Sequence, residues 1–105
     1  MAGQFVRVAS AGDVGSGKLL VVQVNGQPVC LARAAGTVVA LSATCTHDGC
    51  DLAEYGEIDG GELECICHGS RFELATGNVV QGPASDPLPR YEVRTEGNEV
   101  FVSVP

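Results

Sequence analysis

The chain has 105 residues, 45% of them hydrophobic and 18% charged, with 14 glycines and a formal charge of -7. One domain with one modest core fits that length, and the apolar content excludes a disordered chain. The negative charge sets the protein against nucleic-acid phosphates and anionic lipid, and favours a basic protein partner.

The N-terminal "MAGQFVRVAS" lacks the basic and apolar regions of a secretory signal, and the longest aliphatic run, Leu19 to Val22, is far below membrane-spanning length. A cytoplasmic, non-membrane protein is the expectation. Period-2 alternation then sets in: Leu20, Val22 and Val24 share one strand face, Val29 and Leu31 follow the turn Asn25-Gly26, and Val39 and Leu41 follow Ala35-Gly36. Four shorter strand candidates come next: Gly56 to Ile58, Glu62 to Cys65, Arg71 to Leu74 and Asn78 to Gln81. Asp59-Gly60-Gly61 and Thr76-Gly77 punctuate them. At the C-terminal end Tyr91 and Val93 alternate with charges, Gly97-Asn98 turns the chain, and Val100, Val102 and Val104 line one face. Short strands with frequent glycine turns predict an all-β sandwich or small barrel. Residues 43 to about 82 form a cysteine-rich insertion into a β base built from 1–42 and 83–105.

Both histidines and four of the five cysteines lie in two segments, "CTHDGC" (45–50) and "CICHGS" (65–70). The fifth, Cys30, sits in a strand candidate as a buried, inert thiol. Each segment borders a strand candidate and is expected at a hairpin tip. Without a secretion signal, this cysteine usage points to metal or redox chemistry rather than a disulfide scaffold. Cys45-x-His47 and Cys65-x-x-His68 together offer two thiolates and two imidazoles, which suits a tetrahedral zinc site or an iron-sulfur centre of mixed ligation. Three features favour the second. Cys50 and Cys67 are surplus to a four-ligand zinc site and would tie the loops together if paired; Gly69 and Ser70 offer little bulk and a hydroxyl donor beside inorganic sulfide; and the proline-rich "GPASDPLP" (82–89) is stiff enough to cover a site.

Over Cys45 to Pro89 the sequence resembles the Rieske-type [2Fe-2S] proteins, in the C-x-H and C-x-x-H pair, the extra cysteine of each loop, the "CHGS" string and the "GP" of the covering segment. The resemblance implies that Cys45 and Cys65 bind one iron, that His47 and His68 bind the other, and that Cys50 and Cys67 form a disulfide. It implies an all-β, Rieske-like antiparallel β-sandwich with a small rubredoxin-like cluster-binding subdomain. Two neutral imidazoles in place of two thiolates remove negative charge from the cluster and make reduction easier. Phe72 stands where high-potential quinol-oxidising members carry a tyrosine, and Asp48 where they carry an apolar residue, so an intermediate potential is expected.

Seven of the 13 acids (Asp48, Asp51, Glu54, Glu57, Asp59, Glu62, Glu64) fall between the two histidines, and no Lys or Arg occurs from Ala34 to Ser70. That stretch is either a solvated face or a docking surface for a cationic partner. The resulting expectation is a monomeric one-electron carrier, not itself an enzyme, between a flavin-dependent reductase and a terminal oxygenase. The alternatives are a Rieske-fold small subunit of a larger oxidoreductase such as nitrite reductase, and a structural zinc module.

Overall fold

Residues 4–46 and 49–104 are described by the structure, a computed structural model. The described residues form ten strands: β1 (Phe5–Ser10), β2 (Leu20–Val24), β3 (Gln27–Ala34), β4 (Thr37–Ser42), β5 (Gly56–Asp59), β6 (Glu62–Cys65), β7 (Ser70–Glu73), β8 (Val79–Gln81), β9 (Arg90–Glu96) and β10 (Glu99–Ser103). All pairings are antiparallel. Six strands make one sheet in the order β1-β10-β9-β4-β3-β2, and β5-β6-β7-β8 make a second. The first sheet joins the two ends of the chain through β4 and β9, which pair only at Ala40 with Tyr91 and Leu41 with Arg90. Among the described residues no helix is long and apolar enough to cross a membrane.

The turns fall where chain stereochemistry demands them. Asn25 and Gly26 join β2 to β3, Ala35 and Gly36 join β3 to β4, and all four have positive φ, as tight hairpin turns require. Alternation alone places Val29 and Leu31 on a buried face of β3, but the strand is buried on both faces. Val29 and Leu31 pack with Val24, Val38, Ala40, Val100, Val102 and Val104 on one side. Cys30 and Ala32 pack with Val39, Leu41, Leu63, Phe72 and Leu74 on the other. A strand covered on both faces reads as a continuous apolar run.

The second core continues from the six-stranded sheet into the small one, since Cys45, Cys65, Leu52, Ala84 and Leu88 belong to it as well. Cys30 lies in this layer at 1% exposure. Burial, with a smaller contribution from the negative charge of Asp51, pushes its thiol up to about 12, so it stays protonated and inert at neutral pH.

Two elements go beyond the sequence pattern. β1 pairs with β10, with a register shift between Arg7 and Ala9. Ala9 is the only deeply buried side chain of β1, which blunts its alternation. The helix α1 (Leu52–Tyr55) is a single turn, capped by the Asp51 carboxylate accepting from the Ala53 N–H at 2.9 Å.

Truncating the fully buried Leu31 to alanine removes packing from the layer that does not touch the cysteine loops. Leu31→Ala is expected to cost about 2–5 kcal/mol, measured as a lowered urea midpoint. A loss below about 1 kcal/mol would show that this layer is not close-packed.

Candidate metal centre

The two Cys/His segments are closed by the same backbone hydrogen bond. In the first, the Gly49 N–H donates to the Cys45 carbonyl at 3.0 Å; in the second, the Gly69 N–H donates to the Cys65 carbonyl at 2.8 Å. Both glycines have positive φ, 69° and 87°. Each segment thus closes over four residues on a glycine in the left-handed region, where a side chain is strained. Gly69 was visible as a small residue beside the site; Gly49 was missed, although its spacing from Cys45 equals that of Gly69 from Cys65.

The second loop sits at a hairpin tip as expected, between β6 and β7. The first does not: it runs from β4 into α1. A single bridge between Thr44 and Asp51 pinches its base, and the Cys45 N–H bonds the Cys50 carbonyl at 2.9 Å. With α1 following directly, the loop has no second strand on its far side, so it is a pinched turn rather than a hairpin.

Cys45 and Cys65 are buried at 3% and 1% exposure, and their thiols hydrogen-bond one another. Burial raises the Cys65 thiol above its usual range. The N–H groups of Cys67 and His68 donate to its sulfur and act in the opposite sense, while the neighbouring Cys45 adds to the rise. Two backbone donors aimed at one sulfur form a cradle for a thiolate, of the kind that stabilises metal-bound sulfur.

Cys50 and Cys67 are joined in a disulfide with Cα atoms 6.6 Å apart, and Cys30, Cys45 and Cys65 are free. The bond cross-links the two loops. Ligand-type atoms of Cys50, Cys67 and His68 lie within 4.8 Å of one another. Both sulfurs are used in the disulfide, so this trio is not a cation site; it places the His68 ring beside the cross-link. His68 is exposed. The structure therefore brings together Cys45, Cys65, His68, Ser70 and the disulfide pair, while His47 and Asp48 lie outside the described residues.

Ser70 is fully buried, and its Oγ accepts the Ala84 N–H at 3.0 Å. That bond ties the 82–89 segment to β7. The Thr46 hydroxyl donates to the Asp86 carbonyl at 2.6 Å, and the Leu88 N–H to the Gly77 carbonyl at 2.9 Å. A Cβ on Gly77 would meet the Leu88 carbonyl oxygen at 2.3 Å, so no other residue permits this approach. The proline-rich segment is thus fastened to the first loop, to β7 and to the β7–β8 turn. Phe72 is fully buried and carries no hydroxyl to offer the site.

The acidic stretch is partly neutralised. On the outer face of the small sheet, Arg71 bonds Asp59 at 2.7 Å, Glu62 at 2.6 Å and Glu64 at 3.2 Å. Glu62 and Asp59 hold the guanidinium above its already high ordinary range, led by the hydrogen bond it donates to Glu62.

A model of the Rieske [2Fe-2S] domain matches residues 4–92. The biphenyl dioxygenase ferredoxin subunit of Pseudomonas sp. (strain KKS102) is 35% identical over 98 residues, 93% of this chain and 90% of that protein. The cytochrome b6-f complex iron-sulfur subunit of Chlorobaculum thiosulfatiphilum is 36% identical over 96 residues; 91% of this chain aligns, spanning 51% of that protein. Among solved structures, a complex of reduced oxygenase and oxidized ferredoxin in carbazole 1,9a-dioxygenase contains a chain matching with a TM-score of 0.86 and 33% identity, covering 94% of this chain and 92% of that one.

The cysteine pattern yields a count. Thiol titration of metal-stripped, denatured protein is expected to find three reactive thiols before reduction and five after it. Replacing both Cys50 and Cys67 by serine is expected to cost about 3 kcal/mol of stability, as for a loop of this size, measured by guanidinium unfolding. Five thiols in the unreduced protein would show that the cross-link does not form.

Proposed function

Because the chain belongs to the Rieske [2Fe-2S] domain family, we propose that it is a one-electron carrier, taking electrons from a flavin reductase and delivering them to a terminal, ring-hydroxylating or related oxygenase. The single observation that carries this reading is the buried Cys45–Cys65 thiol pair with its backbone donors, set beside an exposed His68 on the same hairpin. Near-full coverage of a dioxygenase ferredoxin subunit supports it from outside the structure.

The donor set fits a Rieske cluster. We assign Cys45 and Cys65 to one iron and His47 and His68 to the other; Cys50 and Cys67, bonded to each other, are withheld from ligation. The cluster supplies reversible one-electron chemistry when bound. The chain's own residues do the rest. Ser70 accepts from Ala84, so its hydroxyl proton would remain available to donate to a cluster sulfur. The 82–89 segment, held by Ser70, Thr46 and Gly77, limits water on that side. His68 leaves the imidazole side at the surface, where a partner can approach. With an exposed histidine end, no substrate pocket is needed, and the protein works as a component rather than as an enzyme.

The unit of function in this reading is residues 1–105 as one Rieske domain, with a base of 1–42 and 83–105 and a cluster-binding subdomain of about 43–82. We place it in the cytoplasm as a monomer that meets its reductase and oxygenase in turn through the acidic side of that subdomain.

A second reading has one observation in its favour. The disulfide and the likeness to a cytochrome b6-f iron-sulfur subunit, of which the chain spans about half, suit a quinol-oxidising role. The side chain at position 72 opposes it, since Phe72 cannot donate a hydrogen bond to a ligand sulfur and so leaves the potential lower. A midpoint by protein-film voltammetry at pH 7 separates the two. The carrier is expected within the Rieske span of roughly -150 to +300 mV but well below its upper end; a value at that upper end would favour quinol oxidation.

The assignment is tested directly on purified protein. About two irons and two acid-labile sulfides per chain are expected, with an EPR signal after dithionite reduction typical of mixed histidine ligation. His68→Ala is expected to abolish that signal, whereas Cys50→Ser is expected to keep it. One zinc and no sulfide would overturn the reading.

A further inference from the structure

The charge of this protein is concentrated in one subdomain. Residues 43–82 hold eight carboxylates and one cation, Arg71, for a net charge of -7, while the remainder holds five groups of each sign and is neutral. The exposed apolar side chains are segregated in the same way. Among the described residues the large exposed hydrophobics are Tyr55, Ile66 and Val80, at 39%, 49% and 51%, and all three lie in that subdomain.

Two of the three are brought together by the fold. The β5–β6 ladder pairs Asp59 with Glu62, then Glu57 with Glu64, then Gly56 with Cys65. One step further the Ile66 N–H bonds the Tyr55 carbonyl at 2.9 Å, which sets these two residues opposite one another at the loop end of the hairpin. Carboxylates therefore lead along this hairpin to an apolar pair at the end that carries Cys65 and His68. A groove of about 630 Å³ runs beside it, bordered by Glu57, Asp59 and Glu64 and by one cation, Lys18.

Ile66 is also held rigidly. Its own N–H is bonded, the Gly69 N–H closes the loop on Cys65, and the next residue, Cys67, is cross-linked to Cys50. A half-exposed isoleucine gains nothing for the fold at that position. An apolar side chain presented on fixed backbone loses little entropy when covered, and apolar centres within polar rims carry most of the energy of protein interfaces.

We propose that Tyr55 and Ile66 form the apolar anchor by which this protein docks, and that the occupant is a different protein bearing an apolar socket framed by Lys and Arg. The carboxylates steer the encounter, and the anchor sets the lifetime of the complex. A second copy is the wrong occupant, because it would set a subdomain of net charge -7 against another. This rests on the carrier reading and adds where and by what chemistry the carrier holds its partners.

The test uses reduced holoprotein and, as probe, mammalian cytochrome c, a basic protein with an apolar, lysine-ringed haem edge, in stopped flow. Ile66→Ser is expected to raise the saturation constant on the order of tenfold, the equivalent of about 1.4 kcal/mol, with the EPR signal, the midpoint potential and the salt dependence unchanged. Glu54→Gln with Glu57→Gln, two exposed carboxylates outside the Arg71 patch, is expected to do the reverse, flattening the salt dependence while leaving the saturation constant at high salt alone. Tyr55→Ser, outside the two ligand segments, gives the same reading as Ile66→Ser where the latter loses its cluster. Wild-type behaviour of the Ile66 and Tyr55 variants would overturn the anchor and leave the carrier standing. A cluster-loaded wild type that passes no electron to cytochrome c would overturn the carrier reading and the anchor with it. A dimer in sedimentation that Ile66→Ser dissociates would overturn the choice of occupant.

Discussion

The constraint on which the site depends is the pair of bonds from Gly49 to the Cys45 carbonyl and from Gly69 to the Cys65 carbonyl. Each turns a short loop back on itself. In the second loop this aims the Cys67 and His68 amides at the Cys65 sulfur. A thiol at 1% exposure resists ionisation, because burial penalises the charged form. Only inward-facing donors, and a metal when present, offset that cost. The glycines are therefore part of the chemistry: without left-handed residues at 49 and 69 the loops would open and the sulfur would lose its donors.

A short cysteine loop at the edge of a small sheet has little core of its own. The second sheet has four strands of three or four residues each, and its buried layer is shared with the base through Ala32, Val39 and Leu41. Cohesion comes instead from ties of different kinds. The disulfide joins loop to loop, Ser70 and Thr46 join the 82–89 segment to the two loops' surroundings, and Gly77 lets Leu88 pack where no side chain would fit. Small units with limited apolar burial generally need such cross-links.

The sequence carried most of the base because its signals are local. Asn25-Gly26, Ala35-Gly36 and the valines at 100, 102 and 104 report turns and one buried face directly. The cysteines and histidines of the two segments stand out in the sequence because thiols and imidazoles at that spacing serve few other purposes, and the structure sets Cys45 beside Cys65 and joins Cys50 to Cys67. What stayed hidden depends on distant partners. The double-sided burial of β3 needs a second layer that alternation cannot show. β1 has a single deeply buried residue, Ala9, and its place is set by pairing with β10 some 90 positions away. The single turn of α1 is too short for any periodicity, and its one local sign is Asp51 as a cap. Charge was legible as a run of acids, but the run did not show that Arg71 ties three of them.

That last point separates two roles that a charge count merges. Asp59, Glu62 and Glu64 are committed to Arg71 and form a braced patch on the outer sheet face. Glu57 is exposed, and no described cation pairs with it, so it is a better source of long-range attraction than its neighbours. Exposed charge acts over about a Debye length, near 8 Å at physiological salt, which suits orientation on approach and gives little adhesion once a partner is seated. A carrier that must release its partner after each electron needs fast, directed encounter with a contact of limited strength. Separating free carboxylates from a small apolar pair at the loop end meets both requirements within one hairpin.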